Sequence, residues 1–156
     1  MNDQAGMKIA LRLAAAAQKK GEVPVGAVVI QGDRVVAKAH NLTRTIMDPT
    51  AHAEMVAIRE AAAALKNERL IGCDLYVTLE PCAMCAGAIV QARVGRVIYG
   101  AEDPKAGACG SVFRVIPNKK LNHRPLVIKE VLADESSRLL KRFFKARRRA
   151  PKGSLT

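Results

Sequence analysis

Two short motifs of this chain carry side chains that can bind one metal ion. His52-Ala53-Glu54 offers an imidazole and a carboxylate, and Pro81-Cys82-Ala83-Met84-Cys85 offers two thiolates. One histidine and two cysteines are three ligands for tetrahedral zinc, and they leave the fourth position open, as in catalytic zinc sites. The carboxylate of Glu54, next to the ligand His52, is then available to carry protons. The two motifs therefore predict a Zn²⁺ site that activates water.

The spacing within each motif restricts where it can stand. Cys82 and Cys85 are three residues apart, so they share one face of a helix, and Pro81 suits the first turn of that helix. A helix N-terminus also favours thiolates over thiols. His52 and Glu54 are two residues apart, which would place them on nearly opposite faces of a helix interior. They can serve one site only if their helix begins beside the metal.

Other interpretations of the cysteines remain open from the sequence. A C-x-x-C pair that follows a strand and opens a helix is also typical of thioredoxin-like redox sites, although a redox pair needs no His-x-Glu partner. A purely structural zinc would need a fourth protein ligand, for which Cys73 or Cys109 are the candidates. Otherwise we expect Cys73 to be a small buried residue, and Cys109 has no assignment.

Length and composition set the class of protein. A chain of 156 residues, of which 49% are hydrophobic, predicts one domain over residues 1–156 with a proper core. No apolar run reaches the roughly 18 residues of a membrane span, and the first residues lack the features of a signal peptide. We therefore expect a cytoplasmic protein with unpaired cysteines. The net charge of +12 favours a polyanionic partner such as nucleic acid.

The hydrophobic pattern predicts alternating helices and strands, with a tight turn at 31–33 that makes the first two strands a hairpin. The last helix is expected to begin with Asp134 as its N-cap. Strand–helix–strand units require a partly parallel sheet. The prediction is an α/β fold, a three-layer α/β/α sandwich around a mixed five-stranded sheet. The expected helices are 8–20, 51–67, 81–92 and 134–149, and the expected strands are 24–30, 34–39, 75–79, 96–100 and 126–131.

Nearly the whole chain resembles the bacterial tRNA-specific adenosine deaminases of the cytidine and deoxycytidylate deaminase superfamily. An H-x-E motif followed by P-C-x-x-C is the signature of zinc-dependent base deaminases. The matching segments are 22–27, 40–41, the zinc motifs 48–54 and 78–88, the substrate loop 100–107, 122–124, 132–135 and Phe143-Phe144. The resemblance implies a cytidine deaminase-like fold and a homodimer with its site near the subunit interface.

The same resemblance implies the reaction and the substrate. The expected reaction is hydrolytic deamination of adenosine to inosine at the wobble position of a tRNA anticodon. Glu54 would pass a water proton to the ring nitrogen and then to the leaving amine, giving a carbonyl and ammonia. A base in an anticodon loop is poorly stacked, so extruding it into a pocket costs little. By position, the residues implied to contact the RNA are Asn41, Ala53 (backbone), Asp103, Lys105, Asn122 and Phe144.

Several of these residues have simpler roles available. Asn41 can cap a turn, Asp103 can form a turn before a proline, and Lys105 can be a solvated charge. Since adjacent helical residues point in different directions, one of the two phenylalanines should join the core. Ala106 lacks the hydroxyl often found at its position, which leaves the contacts of the loop open.

A basic C-terminal helix and tail are expected at about 134–156. Seven of the last sixteen residues are Lys or Arg, including Lys152. One or two cations suffice for a helix dipole, so the excess favours phosphate binding beside the zinc pocket. Two other functions remain open: a deaminase of free bases or nucleosides, for which the basic tail would serve no purpose, and a nucleic-acid-binding module with structural zinc.

Overall fold

The computed structural model describes residues 1–149, and residues 150–156, including Lys152, lie outside the described part. Helices and strands alternate along the chain after an initial helix and hairpin. In chain order the elements are α1 (Asp3–Lys19), β1 (Gly26–Gln31), β2 (Arg34–His40), α2 (Ala53–Leu65), β3 (Cys73–Leu79), α3 (Ala83–Gln91), β4 (Arg96–Ala101), β5 (Leu126–Ile128) and α4 (Ala133–Arg149).

The strands form one mixed sheet in the order β2-β1-β3-β4-β5. Strand β1 is antiparallel to both β2 and β3, whereas β3, β4 and β5 are mutually parallel. The hairpin closes where Gln31 pairs with Arg34 around a two-residue turn. Gly32 has a φ of +63° there, a conformation that glycine adopts at little cost. The predicted five-stranded sheet and hairpin are confirmed.

Both faces of the sheet are buried, and the alternation of side chains shows how. Val28 and Ile30 of β1 belong to a cluster with Met7 of α1. Ala27 and Val29, which point the other way, belong to a larger cluster that contains apolar residues of α2 and α3. Helix α4 packs beside α1. Two helices therefore cover each face, and the predicted three-layer sandwich is confirmed.

Three predicted boundaries are wrong for local reasons. Helix α1 begins at Asp3 rather than at residue 8, because the side chain of Asn2 accepts a hydrogen bond from the N–H of Ala5 at 2.8 Å and caps the helix. Strand β5 ends at Ile128, since Glu130 and Leu132 adopt positive φ angles that turn the chain away. Helix α4 begins at Ala133, so Asp134 lies in its first turn and is not its N-cap.

Other boundaries shift by two residues. Helix α2 starts at Ala53 and α3 at Ala83, instead of at 51 and 81, while β3 starts earlier, at Cys73. Cys73 is a buried core residue, as expected. The segment 112–116, which lies between the predicted strands 96–100 and 126–131, contains neither helix nor strand and is held by an isolated bridge between Cys109 and Arg114.

A charged cluster joins α1 to the N-terminal ends of β3 and β4. Arg96 donates to Asp74 at 2.8 Å and to Asp3 at 3.1 Å, and the hydroxyl of Tyr76 donates to Asp3 at 2.8 Å. Burial opposes ionisation of Asp3, but the hydrogen bonds from Arg96 and Tyr76 outweigh it and lower the pKa of Asp3. Among residues 1–149, no helix has the length and apolar character needed to cross a membrane.

Candidate metal centre and active site

The two predicted metal-binding motifs stand at the first turns of α2 and α3. His52 is the N-cap of α2 and Cys82 the N-cap of α3; both have extended backbones, and neither side chain is used to cap its helix. Glu54 and Cys85 follow within the first turn of each helix. Their two-residue spacing requires His52 and Glu54 to lie where their helix begins. Because α2 begins directly after His52, they do.

The three metal-ligating side chains converge on one point. His52 Nδ1 lies 3.6 Å from Cys82 Sγ and 3.5 Å from Cys85 Sγ, and all three ligand atoms lie within 4.8 Å of one another. Tetrahedral zinc, with bonds of about 2.3 Å to sulfur and about 2.0 Å to nitrogen, separates sulfur and nitrogen by about 3.5 Å. Within residues 1–149 neither Cys73 nor Cys109 belongs to this group. The arrangement can therefore hold a metal through one histidine and two cysteines.

The protonation of these ligands also suits a cation. Hydrogen bonds from Cys85 and His52 lower the pKa of Cys82 to about 4. The same contact with Cys82 raises the pKa of His52. The pKa of Cys85 is raised, first by its hydrogen bond to the Cys82 thiolate and then by burial. Without a metal, this cluster retains protons. A bound divalent cation would replace them, because cysteine ligands lose their protons when they bind a metal.

Glu54 lies beside the ligands and is 4% exposed. Burial raises the pKa of its carboxyl to about 7, because the charged form loses its hydration. A group with a pKa near neutral can both accept and release a proton at neutral pH. Its position beside the ligands and its burial make Glu54 the candidate for proton transfer.

A second buried carboxylate, Glu80, lines the same cavity but has a different environment. It accepts hydrogen bonds from the N–H groups of Asp103 at 3.0 Å, Cys109 at 2.9 Å and Ser111 at 3.2 Å, and from the Ser111 hydroxyl. Burial raises the pKa of Glu80, but these donors outweigh it and the net pKa is lowered. Two carboxylates whose pKa values shift in opposite directions can serve different roles, one in acid–base chemistry and the other in holding the structure. Glu54 is therefore the candidate proton carrier, whereas Glu80 holds the 103–111 loop.

Sequence reasoning assigned no role to Glu80 or to the Cys109 backbone that it binds. The available signal was position: Glu80 directly follows β3 and directly precedes the motif of Cys82 and Cys85. A carboxylate at the end of a strand, beside a metal-binding motif, is a candidate for ordering the site. Its partners lie more than twenty residues away, so they could not be named from the sequence.

A cavity of about 240 Å³ opens onto the metal-binding group. It is smaller than the pockets of about 300–1,000 Å³ that hold drug-sized ligands, and its size suits a single base. Three of the residues implied to contact RNA line it, namely Asn41, Ala53 and Asp103, together with Glu54 and Glu80. The full lining is Val23, Val25, Asn41, Thr43, His52, Ala53, Glu54, Leu79, Glu80, Cys82, Asp103 and Ala106.

A larger groove of about 880 Å³ adjoins this cavity, with Val23, Leu79 and Asp103 common to both. It runs between the 101–105 loop and α4, and we call it the α4 groove. Phe143 is 7% exposed and belongs to the core, whereas Phe144 is 44% exposed and lines the groove. The expectation that one of the two would be buried is confirmed. The groove also contains Lys105, Lys141, Arg147 and Arg148.

Not every predicted residue reaches these cavities. Asn122 is exposed and lines neither of them. Asp103 lines both, but its Oδ1 also accepts the N–H of Lys105 at 3.0 Å and of Ala106 at 3.2 Å, so it forms the turn as well. Asn41 donates to the hydroxyl of Thr43 at 3.3 Å.

Comparisons with known proteins agree on one family. The family model of MafB19-like deaminases matches residues 1–148. The tRNA-specific adenosine deaminase of Bacillus subtilis (strain 168) is 45% identical over 152 residues, 97% of this chain and 94% of that protein. The one from Aquifex aeolicus (strain VF5) is 48% identical over 139 residues, 89% of this chain and 91% of that protein.

A solved structure agrees with these relatives. It is that of a tRNA:A34 deaminase, an enzyme of A-to-I editing at the wobble position of transfer RNA. It superposes with a TM-score of 0.84 at 48% identity, covering 87% of this chain and 99% of that one. The resemblance inferred from the motifs is confirmed, and the chain belongs to the deaminase family that includes the bacterial tRNA-specific adenosine deaminases.

Proposed function

We propose that this protein is a zinc-dependent tRNA adenosine deaminase that converts adenosine to inosine at the wobble position of an anticodon. One observation carries the proposal: a His/Cys/Cys group and a buried Glu54 with a raised pKa meet in a cavity of the size of one base. The relatives named tRNA-specific adenosine deaminase support the identity of the substrate.

In the proposed mechanism His52, Cys82 and Cys85 hold the zinc ion. A zinc ion held by these residues would supply Lewis-acid activation of a water molecule, which would then serve as the nucleophile. Glu54 accepts one proton from the attacking water and delivers it to the ring nitrogen, and it then carries the second proton, from the new hydroxyl group, to the leaving amine. Hydrolysis replaces the exocyclic amine by a carbonyl oxygen and releases ammonia.

The proposed RNA contacts extend from the cavity into the α4 groove. Asn41 and the backbone of Ala53 contact the purine inside the cavity, and Asp103 and Lys105 contact the neighbouring sugar and phosphate. Phe144 is exposed in the groove, where a flanking base can stack on its ring. Asn122, outside both cavities, is proposed to bind RNA at a more distant nucleotide.

The charge of the chain favours RNA over a free base. The net charge is +12, and three cationic residues of α4, namely Lys141, Arg147 and Arg148, line the groove next to the cavity. A free base carries no phosphate for these residues to bind. We also propose that residues 1–156 form one deaminase domain that acts in the cytoplasm, where tRNA is its partner.

A homodimer is part of the same proposal. Large apolar side chains are exposed in two segments that follow cavity-lining residues in sequence. Met47, after Asn41 and Thr43, is 90% exposed, and Phe113, after Asp103 and Ala106, is 52% exposed. A second copy that covers these segments would remove this surface from water. Light scattering after gel filtration should give a mass of twice the 16.8 kDa chain. A mass of one chain over the micromolar range would contradict the dimer.

The function is tested with an anticodon stem-loop RNA that carries adenosine at the wobble position. Zinc-loaded protein should produce inosine at that position, detected by nuclease digestion and mass spectrometry. The matched control RNA carries its single loop adenosine one position away and should remain unchanged. Equal rates on the stem-loop and on free adenosine, or turnover of a free base alone, would reject the tRNA substrate.

A further inference from the structure

A third buried carboxylate, next to the cavity, has no part in the proposed chemistry. Glu22 follows the end of α1, directly before the cavity residue Val23, and is fully buried. Its Oε2 accepts the N–H of Thr45 at 2.7 Å and the hydroxyl of Thr45 at 2.6 Å. Its Oε1 accepts the N–H of Arg44 at 3.3 Å and Nδ2 of Asn41 at 3.4 Å. Glu22 thus binds the loop that carries Asn41.

The chemistry of a carboxylate decides which way the Asn41 amide points. An ionised carboxylate accepts hydrogen bonds and donates none, so the amide must turn its NH₂ group, and not its oxygen, toward Glu22. Burial opposes ionisation of Glu22, but hydrogen bonds from Thr45 and Arg44 outweigh it and lower its pKa. The charged carboxylate of Glu22 therefore distinguishes the two possible orientations of the Asn41 amide, in which the oxygen and the nitrogen exchange places.

The remaining polar groups of Asn41 are also occupied. Its Nδ2 donates to the hydroxyl of Thr43 at 3.3 Å as well as to Glu22. Its backbone N–H donates to the carbonyl of Val25 at 3.0 Å, and its carbonyl accepts from His40 at 2.9 Å. The atom left to meet a ligand is Oδ1, a hydrogen-bond acceptor, on a side chain that lines the cavity.

We propose that Glu22 is a positioning residue that orients Asn41 so that the cavity presents an acceptor, which selects substrates with an N–H or O–H donor at that point. This inference rests on the proposed function above, which makes the substrate a purine. A ring nitrogen lone pair is not bound by Oδ1, whereas an amine or hydroxyl hydrogen is. A site built to accept one donor discriminates strongly against ligands that lack it.

A double-mutant cycle on inosine formation tests this coupling. Glu22→Gln keeps the shape of the side chain but has one acceptor and one donor, so the Asn41 amide loses its fixed orientation. We expect kcat/KM on the anticodon stem-loop to fall roughly 10- to 100-fold, as when a residue that orients a metal ligand is removed. Glu22→Gln should cause no further loss in the Asn41→Ala background, because it acts through Asn41. Additive losses in the double variant would overturn the proposal.

The exposed Glu68 supplies a matched control, since Glu68→Gln removes the same charge from the surface. It should leave kcat/KM unchanged. Thermal unfolding of all variants shows whether a loss of activity reflects a loss of folded protein. A merely structural Glu22 would lower the midpoint and the activity together, and it would do so equally in the Asn41→Ala background.

A second readout does not depend on catalysis. In protein labelled with ¹⁵N-asparagine, the side-chain NH₂ signals of Asn41 should shift in Glu22→Gln and not in Glu68→Gln, because a charged acceptor is replaced. Unchanged signals would overturn the proposed orientation. If the wild-type protein forms no inosine, the proposed function fails, yet these signals still decide whether Glu22 orients the amide.

Discussion

At the scale of single residues, the two buried carboxylates of the cavity, Glu54 and Glu80, have different environments and therefore suit different roles. Burial raises the pKa of Glu54 to about 7, whereas Glu80 has both oxygens occupied by donors from one loop, which lower its pKa. A proton carrier must exchange its proton during each turnover, and an anchor must keep its hydrogen bonds. This difference in environment supports the proposal that Glu54 carries the proton.

The first prediction concerns Glu54. Glu54→Gln removes the proton carrier but keeps the size of the side chain, so inosine formation should fall by roughly 10²- to 10⁴-fold, the usual contribution of a positioned acid–base group. Metal content by mass spectrometry and the unfolding midpoint should stay close to those of the wild type. Glu60→Gln, an exposed change on the same helix, is the control. Wild-type turnover in Glu54→Gln would refute the role.

The second prediction concerns the metal. Cys85→Ser replaces one sulfur ligand by a hydroxyl, which zinc binds poorly, so the metal content should fall from one ion per chain to well below one. Cys109→Ser should retain the ion, because Cys109 is outside the group of ligands among the described residues. Loss of the ion from Cys109→Ser would instead favour a closed structural site with four protein ligands.

At the scale of elements, the site depends on where helices start. The N-terminal turns of α2 and α3 carry all three candidate ligands, and the adjoining loops 41–45 and 103–111 are each held by a buried carboxylate. The opposite end of the sheet is held by the cluster of Asp3, Tyr76 and Arg96. That cluster fixes α1 against the sheet, and its stability depends on an ionised Asp3.

The third prediction follows from that cluster and concerns pH. The folded pKa of Asp3 is below its ordinary value of 3.8, so folding favours its ionised form. This contribution is present in full above about pH 4 and is lost as the pH falls through the folded pKa. The unfolding midpoint of the wild type should therefore exceed that of Asp3→Asn at pH 6, and the gap should narrow below pH 4. A gap that does not change with pH would show that ionisation of Asp3 contributes nothing.

At the scale of the whole molecule, the charge of the chain and the shape of its surface both suit an RNA loop as ligand. The chain is strongly cationic, and cationic side chains of α4 line the groove that continues from the base-sized cavity. Helices α2 and α3 cover the other face of the sheet. An RNA loop that inserts one base into the cavity would therefore lay its flanking phosphates along α4.

The fourth prediction tests that placement through salt dependence. Lys141→Gln combined with Arg148→Gln should weaken binding of the stem-loop RNA. It should also reduce the slope of log K against log salt by roughly 0.7–0.9 for each phosphate that the protein no longer neutralises. The control, Arg59→Gln combined with Lys66→Gln, removes the same charge at α2 and should leave the slope unchanged. Equal changes in both pairs would mean that net charge, and not the α4 groove, attracts the RNA.

Much of the architecture was predictable because it depends on local patterns. Burial on both faces of β1 produces a continuous apolar run, and the short turn at Gly32 closes the hairpin. Boundaries were less accurate where a single contact decided them, such as the cap of Asn2 on α1 or the positive φ of Glu130. These local features change where an element begins or ends without altering the hydrophobic pattern from which it was predicted.

The sequence by itself determined the chemistry of the candidate site, because the types and spacing of His52, Glu54, Cys82 and Cys85 suit a metal with an open position, and because motifs of this kind are local. Tertiary structure alone decided which residues surround that group. The partners of Glu22 and Glu80 are about twenty or more residues distant, and folding brings them together. Burial, which raises the pKa of Glu54, and the packing that brings α4 next to the cavity are likewise properties of the fold that no local pattern encodes.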